Sequence, residues 1–129
     1  MRAVDTNLVV RYITHDDARR SAVAGRIVGA ERVWIAKTVL LESEWVLRGV
    51  YGFAESEVLS ALRSVLGLPN VSVEDAEAVA ASLAWAQNGM DFADALHAAS
   101  SGPAERFVTF DASLVKKARK LGVAVVAAT

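Results

Sequence analysis

Short apolar runs rich in β-branched residues, spaced by enough chain to form helices, limit what this sequence can fold into. Arg2-Ala-Val-Asp5, Val33-Trp-Ile-Ala, Val71-Ser-Val, Arg106-Phe-Val-Thr and Val123-Ala-Val-Val all read as brief strands. Strands that alternate with helices join as βαβ units and pair in parallel. Buried parallel strands read as near-continuous apolar runs, as these do. Between them the pattern predicts a short helix from Asn7 to about Tyr12, and a longer one from Asp17 to Gly29 with Ala18, Val23, Ala24, Ile27 and Val28 on its apolar side. Thr38 is a good N-cap for a helix through Tyr51, ended by Gly52, and Ser56 for another to Leu66. An Ala-rich helix follows from Glu74 to Asn88, then one from Asp91 to Ser100, and a last one from Asp111 to Leu121. No linker, repeat or low-complexity stretch interrupts the series. The expectation is one three-layer α/β domain over residues 1–129, its parallel sheet flanked by helices.

Composition narrows the chemistry. The chain has 129 residues, enough to bury a core without staples, and no cysteine, which removes disulfides, zinc thiolates and thiol catalysis. Its formal net charge of −1 is not that of a polycation that holds nucleic acid by bulk charge. No apolar run approaches the roughly 18 residues of a membrane span, and no signal peptide opens the chain. A cytoplasmic protein with no membrane partner is expected.

Four acids stand at telling places. Asp5 closes the first strand, and Asp111 follows the strand at Arg106-Phe-Val-Thr. Ligands of open α/β sheets sit outside the carboxyl ends of strands, although Asp at a strand-to-helix turn also serves as an N-cap. Glu42 has Thr38, Val39, Trp45 and Val46 as its helical neighbours, a largely apolar setting in which a carboxylate calls for a partner or a metal. Glu44 points about the other way and has Arg48 at i+4 for a surface ion pair, so Glu42 is the better candidate. Asp94 lies off the stripe of Phe92, Ala95, Leu96 and Ala99, and by itself reads as a solvated first-turn acid beside the N-cap Asp91. His97 has no second His near it in sequence and stays outside the candidate site. Carboxylates gathered at one sheet edge repel one another. A hard cation relieves that repulsion, and oxygen-only ligands favour Mg²⁺ or Mn²⁺. A cation so held binds phosphates and acidifies water, which points to phosphodiester hydrolysis.

Four segments together carry a resemblance. Val4-Asp-Thr-Asn, Glu42 with Trp45-Val-Leu-Arg, Gly89-Met-Asp-Phe-Ala-Asp-Ala-Leu-His-Ala-Ala and Val108-Thr-Phe-Asp-Ala-Ser-Leu resemble the PIN-domain nucleases. Within them the chain looks like the VapC-type toxins of toxin–antitoxin pairs. No one motif is specific alone; four in the right order over essentially the whole chain are. The resemblance implies a sheet of about five parallel strands with helices on both sides. It also implies an acidic quartet of Asp5, Glu42, Asp94 and Asp111 that is both catalytic and metal-holding. Asp94 enters because it directly precedes Ala95-Leu96, matching the family's Asp-Ala pair. Asp91 matches an auxiliary acid, and Thr6, Asn7 and Thr109 match small polar residues that support the acids by hydrogen bonds. The implied activity is Mg²⁺- or Mn²⁺-dependent endoribonuclease cleavage of RNA, leaving a 5′-phosphate and a 3′-hydroxyl. The implied partners are a second copy of the chain and an antitoxin that inserts a basic side chain into the acidic pocket. The helices between residues 17 and 66 are candidate surfaces for both, unless their apolar faces are plain core.

Lys37, just before the Glu42 helix, is a candidate substrate contact. The run Lys116-Lys117-Ala-Arg119-Lys120 reads better as a complement to the dipole at a helix C-terminus. Two rival readings fit part of the pattern. A Mg²⁺-dependent phosphotransfer domain also places Asp at a strand end, but the dehalogenase type needs a second Asp where Asn7 stands, and no middle strand ends in a receiver-type phosphoacceptor. A non-catalytic PIN-like binding module would use the fold only to pair with a partner.

Overall fold

Val33 and Ile35 are each 1% exposed, and the strand that carries them, β2 (Val33–Ile35), is the centre of a three-stranded parallel sheet. On one side β1 (Arg2–Ala3) pairs with it through Arg2 and Val33; on the other β3 (Val71–Val73) pairs through Val33 and Val71. The computed structural model describes residues 1–129 and divides into two units, Met1–Ala76 and Glu77–Thr129. The second unit has its own parallel pair, β4 (Phe107–Thr109) with β5 (Val125–Ala127).

All the strands are therefore parallel, as the alternating pattern predicts, but they form sheets of three and two strands rather than one of five. The strands are short. β1 stops at Ala3 because the chain turns at Val4-Asp5 into a helix, so it offers few backbone groups for another strand to use. Nor is β1 buried as its sequence suggested. Both its residues are exposed, since it is an edge strand; β2, with Val33 and Ile35 buried and Trp34 half-buried, comes nearest the character expected of an interior parallel strand.

In the first unit, α1 (Thr6–Thr14) packs on α2 (Ala18–Ala30) and on α3 (Lys37–Trp45). Val9, Val10, Ala24, Val28, Leu40 and Leu47 fill the core between them. Thr38 does not cap α3. The helix starts two residues earlier, at Lys37 with Ala36 in the N-cap position, and the Lys37 N–H is accepted by Glu74 Oε1 at 2.9 Å. A carboxylate leaving the neighbouring strand β3 thus satisfies one of the orphan donors that every helix N-terminus presents. After Trp45 the helix widens into a π-helical segment, Val46–Val50. Gly52, at φ +74°, adopts the left-handed turn that ends it. Then α4 (Glu55–Leu66) begins just ahead of Ser56, with the Ala54 N–H donating to Glu57 Oε1 at 3.0 Å in place of a Ser cap.

The second unit holds α5 (Ala76–Gln87, its first residue on the boundary), α6 (Phe92–Ala99) and α7 (Ala112–Lys120). Met90, Ala95, Leu114, Val115, Ala118 and Val125 form its buried cluster, with Trp85 and Phe107 packed against it. Gly89 takes φ +109° between α5 and α6, a conformation that a side chain would strain. No helix is long and apolar enough to cross a membrane.

Candidate active site

Asp5 sits where β1 gives way to α1. Its backbone is extended, and its Oδ1 accepts the Leu8 N–H at 3.0 Å, so it is the N-cap of α1. Capping uses one carboxylate oxygen and leaves the exposed carboxylate free to take another ligand. Next to it, Thr6 donates its hydroxyl hydrogen to Glu42 Oε1 on α3. Asp5, Thr6, Asn7 and Glu42 line one cleft of about 500 Å³, with Val46 and Val50 of the π-helical segment on its wall. Local widening of a helix often marks a functional site, and here it borders the acids.

The burial that favoured Glu42 over Glu44 in the sequence runs the other way. Glu42 is exposed, and Glu44 is 2% exposed. Trp45 is the reason. Read as core, it makes Glu42's face look apolar, but Trp45 is 57% exposed, and the inward side of α3 carries Leu40, Ser43 and Glu44, followed by Leu47 of the π-helical segment. Glu44 does pair with Arg48, at 3.1 Å, and Arg48 also reaches Glu55 at 3.4 Å. This is an ion pair with a buried carboxylate, not a surface one. Glu42 keeps its place in the cleft through Thr6, a contact its helical neighbours do not reveal.

In the second unit three acids interact. Asp91 caps α6, its Oδ2 accepting the Asp94 N–H at 3.2 Å. Asp111 caps α7, its Oδ1 accepting the Leu114 N–H at 3.0 Å. The Thr109 hydroxyl accepts the Asp111 N–H at 3.0 Å, so Thr109 fixes the backbone of that acid rather than its carboxylate. Partial burial, and then the charges of Asp91 and Asp111, push the Asp94 carboxyl above its ordinary range; His97 and Lys117 oppose them weakly.

Of the four expected acids, Asp5 and Glu42 line one cleft of the first unit, and Asp94 and Asp111 interact in the second. Nowhere are three or more His, Asp or Glu side chains gathered at metal-holding distance. The donors nevertheless suit a hard cation. All are carboxylate oxygens, and Asp94 carries the like-charge strain that a cation relieves.

The PIN-domain family pattern matches residues 2–127. The chain belongs to the PIN-domain family. The match runs through both units, and PIN domains are typically metal-dependent nucleases. Comparison with curated proteins gives no match.

Other residues of this PIN domain do not stand out in its sequence. Asp16 accepts from Arg11 Nη1 at 2.6 Å and from the Tyr51 hydroxyl at 2.5 Å, and these bonds, Tyr51's first, hold its carboxyl down at about 2. That network joins the α1–α2 turn to the end of the π-helical segment. Arg11 and Tyr51 also line the acidic cleft. Lys37, the expected substrate contact, meets Asp75 at 3.0 Å, which ties the start of α3 to the exit of β3. Arg19 and Arg20 line a second cleft that shares Asp5. Their adjacency in sequence, just ahead of Val23 and Ala24, was the available signal.

Proposed function

We propose that this PIN domain is a Mg²⁺- or Mn²⁺-dependent endoribonuclease, the toxin of a VapC-type toxin–antitoxin pair, acting in the cytoplasm. Asp5, Glu42, Asp94 and Asp111 are its metal-holding and catalytic acids, with Asp91 auxiliary. The observation that carries this reading is the cleft that Asp5 lines and in which Thr6 holds Glu42, in a chain matched to the PIN family over residues 2–127.

A divalent cation bound by these acids supplies positive charge for the phosphate and lowers the pKa of water. The chain's own groups do the rest. The Leu8 N–H orients the Asp5 carboxylate, and the Thr6 hydroxyl orients Glu42. Thr109 sets the turn that presents Asp111, and Asn7 adds a polar wall beside Asp5. Lys37 reaches a phosphate only by giving up Asp75. In this reading the protein forms a homodimer and is silenced by an antitoxin whose basic side chain enters the acidic cleft.

The test is cleavage of total RNA by purified protein with Mg²⁺ or Mn²⁺, beside EDTA and Asp5→Asn controls. Metal-dependent cutting that the substitution abolishes supports the reading. Inactivity of both proteins, together with no Mn²⁺ affinity by titration calorimetry, overturns it in favour of a non-catalytic PIN-like binding module.

A further inference from the structure

Asp5 borders two clefts, and the second differs from the first in charge. It measures about 620 Å³, and its walls include Asp5, Asn7, Arg11, Arg19, Arg20 and Val23. The acids near these arginines are Asp5 itself, Asp16 and Asp17. Asp16 is taken up by Arg11 and Tyr51. Asp17 caps α2 through the Arg20 N–H, and its other oxygen lies 3.7 Å from the Arg20 guanidinium, beyond a firm hydrogen bond. Arg20 is 63% exposed along its side chain, and Arg19 is exposed with no ion pair. Both stand in the first turn of α2, where a cation opposes the helix dipole. Helix stability therefore does not explain them, as it explains the basic run at the end of α7.

We propose that this arginine-lined cleft binds the sugar–phosphate backbone of single-stranded RNA next to the scissile bond, with Arg19 and Arg20 as the phosphate contacts. The inference rests on the nuclease reading above. Asp5, Asn7 and Arg11 belong to both clefts, so a strand lying along the arginines leads directly to Asp5 and Glu42. Arginine suits the task because its planar fork meets phosphate oxygens in pairs. Val23, 38% exposed on the same wall, gives the sugars an apolar surface to lie against. A phosphate takes the place of the weak Asp17 interaction at Arg20 without uncovering any buried charge.

The test is binding of a fluorescein-labelled single-stranded RNA to the full chain in EDTA, followed by anisotropy across a range of NaCl concentrations. The proteins compared are wild type, Arg19→Ala/Arg20→Ala, Arg19→Lys/Arg20→Lys and Arg26→Ala. Arg26 is exposed on the same helix outside the cleft, so its removal changes net charge without touching the proposed phosphate sites. The double Ala variant is expected to bind more weakly, with the slope of log Kd against log salt reduced by about 0.7 for each phosphate it no longer neutralises. The double Lys variant keeps most of the slope, and Arg26→Ala keeps all of it. An unchanged slope in the double Ala variant, folded by circular dichroism, overturns the proposal and leaves the cleft to an acidic protein segment. Wild-type binding through this cleft, with neither metal-dependent cutting nor Mn²⁺ affinity, upholds the RNA-binding cleft and overturns the nuclease reading alone.

Discussion

The Thr6 hydroxyl donates to Glu42, so the first residue of α1 holds a carboxylate on α3 in the cleft that Asp5 also lines. Thr6→Val keeps the shape and removes the donor. A hydrogen bond to a charged group contributes about 1.5–3 kcal/mol when shielded, and less where one partner is exposed, as Glu42 is. The expected result is a stability loss of about 1 kcal/mol in urea melts and a roughly tenfold fall in metal-dependent RNA cleavage. Thr6→Ser should recover most of both.

Glu42 and Glu44, two residues apart, should separate activity from stability. Glu42→Gln removes an exposed carboxylate and is expected to abolish cleavage with little change in the melting temperature. Glu44→Ala removes the buried partner of Arg48. Breaking a buried pair costs about 3–5 kcal/mol, and the lower end applies because Arg48 is partly exposed and also reaches Glu55. Differential scanning calorimetry beside the RNA assay reads both effects.

Asp16 gives the first unit an acid-sensitive joint. Its carboxyl is held at about 2 in the folded chain, against about 3.9 for an ordinary Asp. A depressed acid contributes stability that is complete above its unfolded value and is lost as the pH falls through its folded one. Wild type should therefore lose stability between about pH 4 and pH 2 more steeply than Asp16→Asn, as followed by thermal melts across that window.

Strain among Asp91, Asp94 and Asp111 predicts a response to metal. Burial and like charge disfavour ionised Asp94, and a cation offsets both. Saturating Mn²⁺ should raise the melting temperature, by about 2.7 kcal/mol of added stability at a hundredfold excess over Kd. Asp94→Asn and Asp111→Asn should each remove most of that gain. An equal gain in both variants would show that the cation binds elsewhere.

Local chemistry was legible at several positions that one residue decides, though not at Ser56, whose capping place is taken by Glu57 on the Ala54 N–H. Asp5, Asp91 and Asp111 are the N-caps their positions suggested, and Gly52 and Gly89 stand in left-handed turns where their helices end. Features that depend on a distant partner were not legible. Glu74 caps α3 from the end of a neighbouring strand, so the good capping chemistry of Thr38 goes unused. Trp45 looks like core by type and is mostly solvated, which inverts the burial of Glu42 and Glu44. The division of the strands into sheets of three and two was not legible either, because apolar patterning does not say which strands share a ladder.

The π-helical turn has a consequence for chain length. Its wide hydrogen bond, from the Tyr51 N–H to the Val46 carbonyl at 3.1 Å, accommodates one residue more than an α-helix would over the same rise. The bulge takes up that extra residue locally, so Tyr51, whose hydroxyl meets Asp16, keeps the place it would have on an ordinary helix one residue shorter. Related chains should therefore come in two lengths at this point, and both should keep the tyrosine and its aspartate.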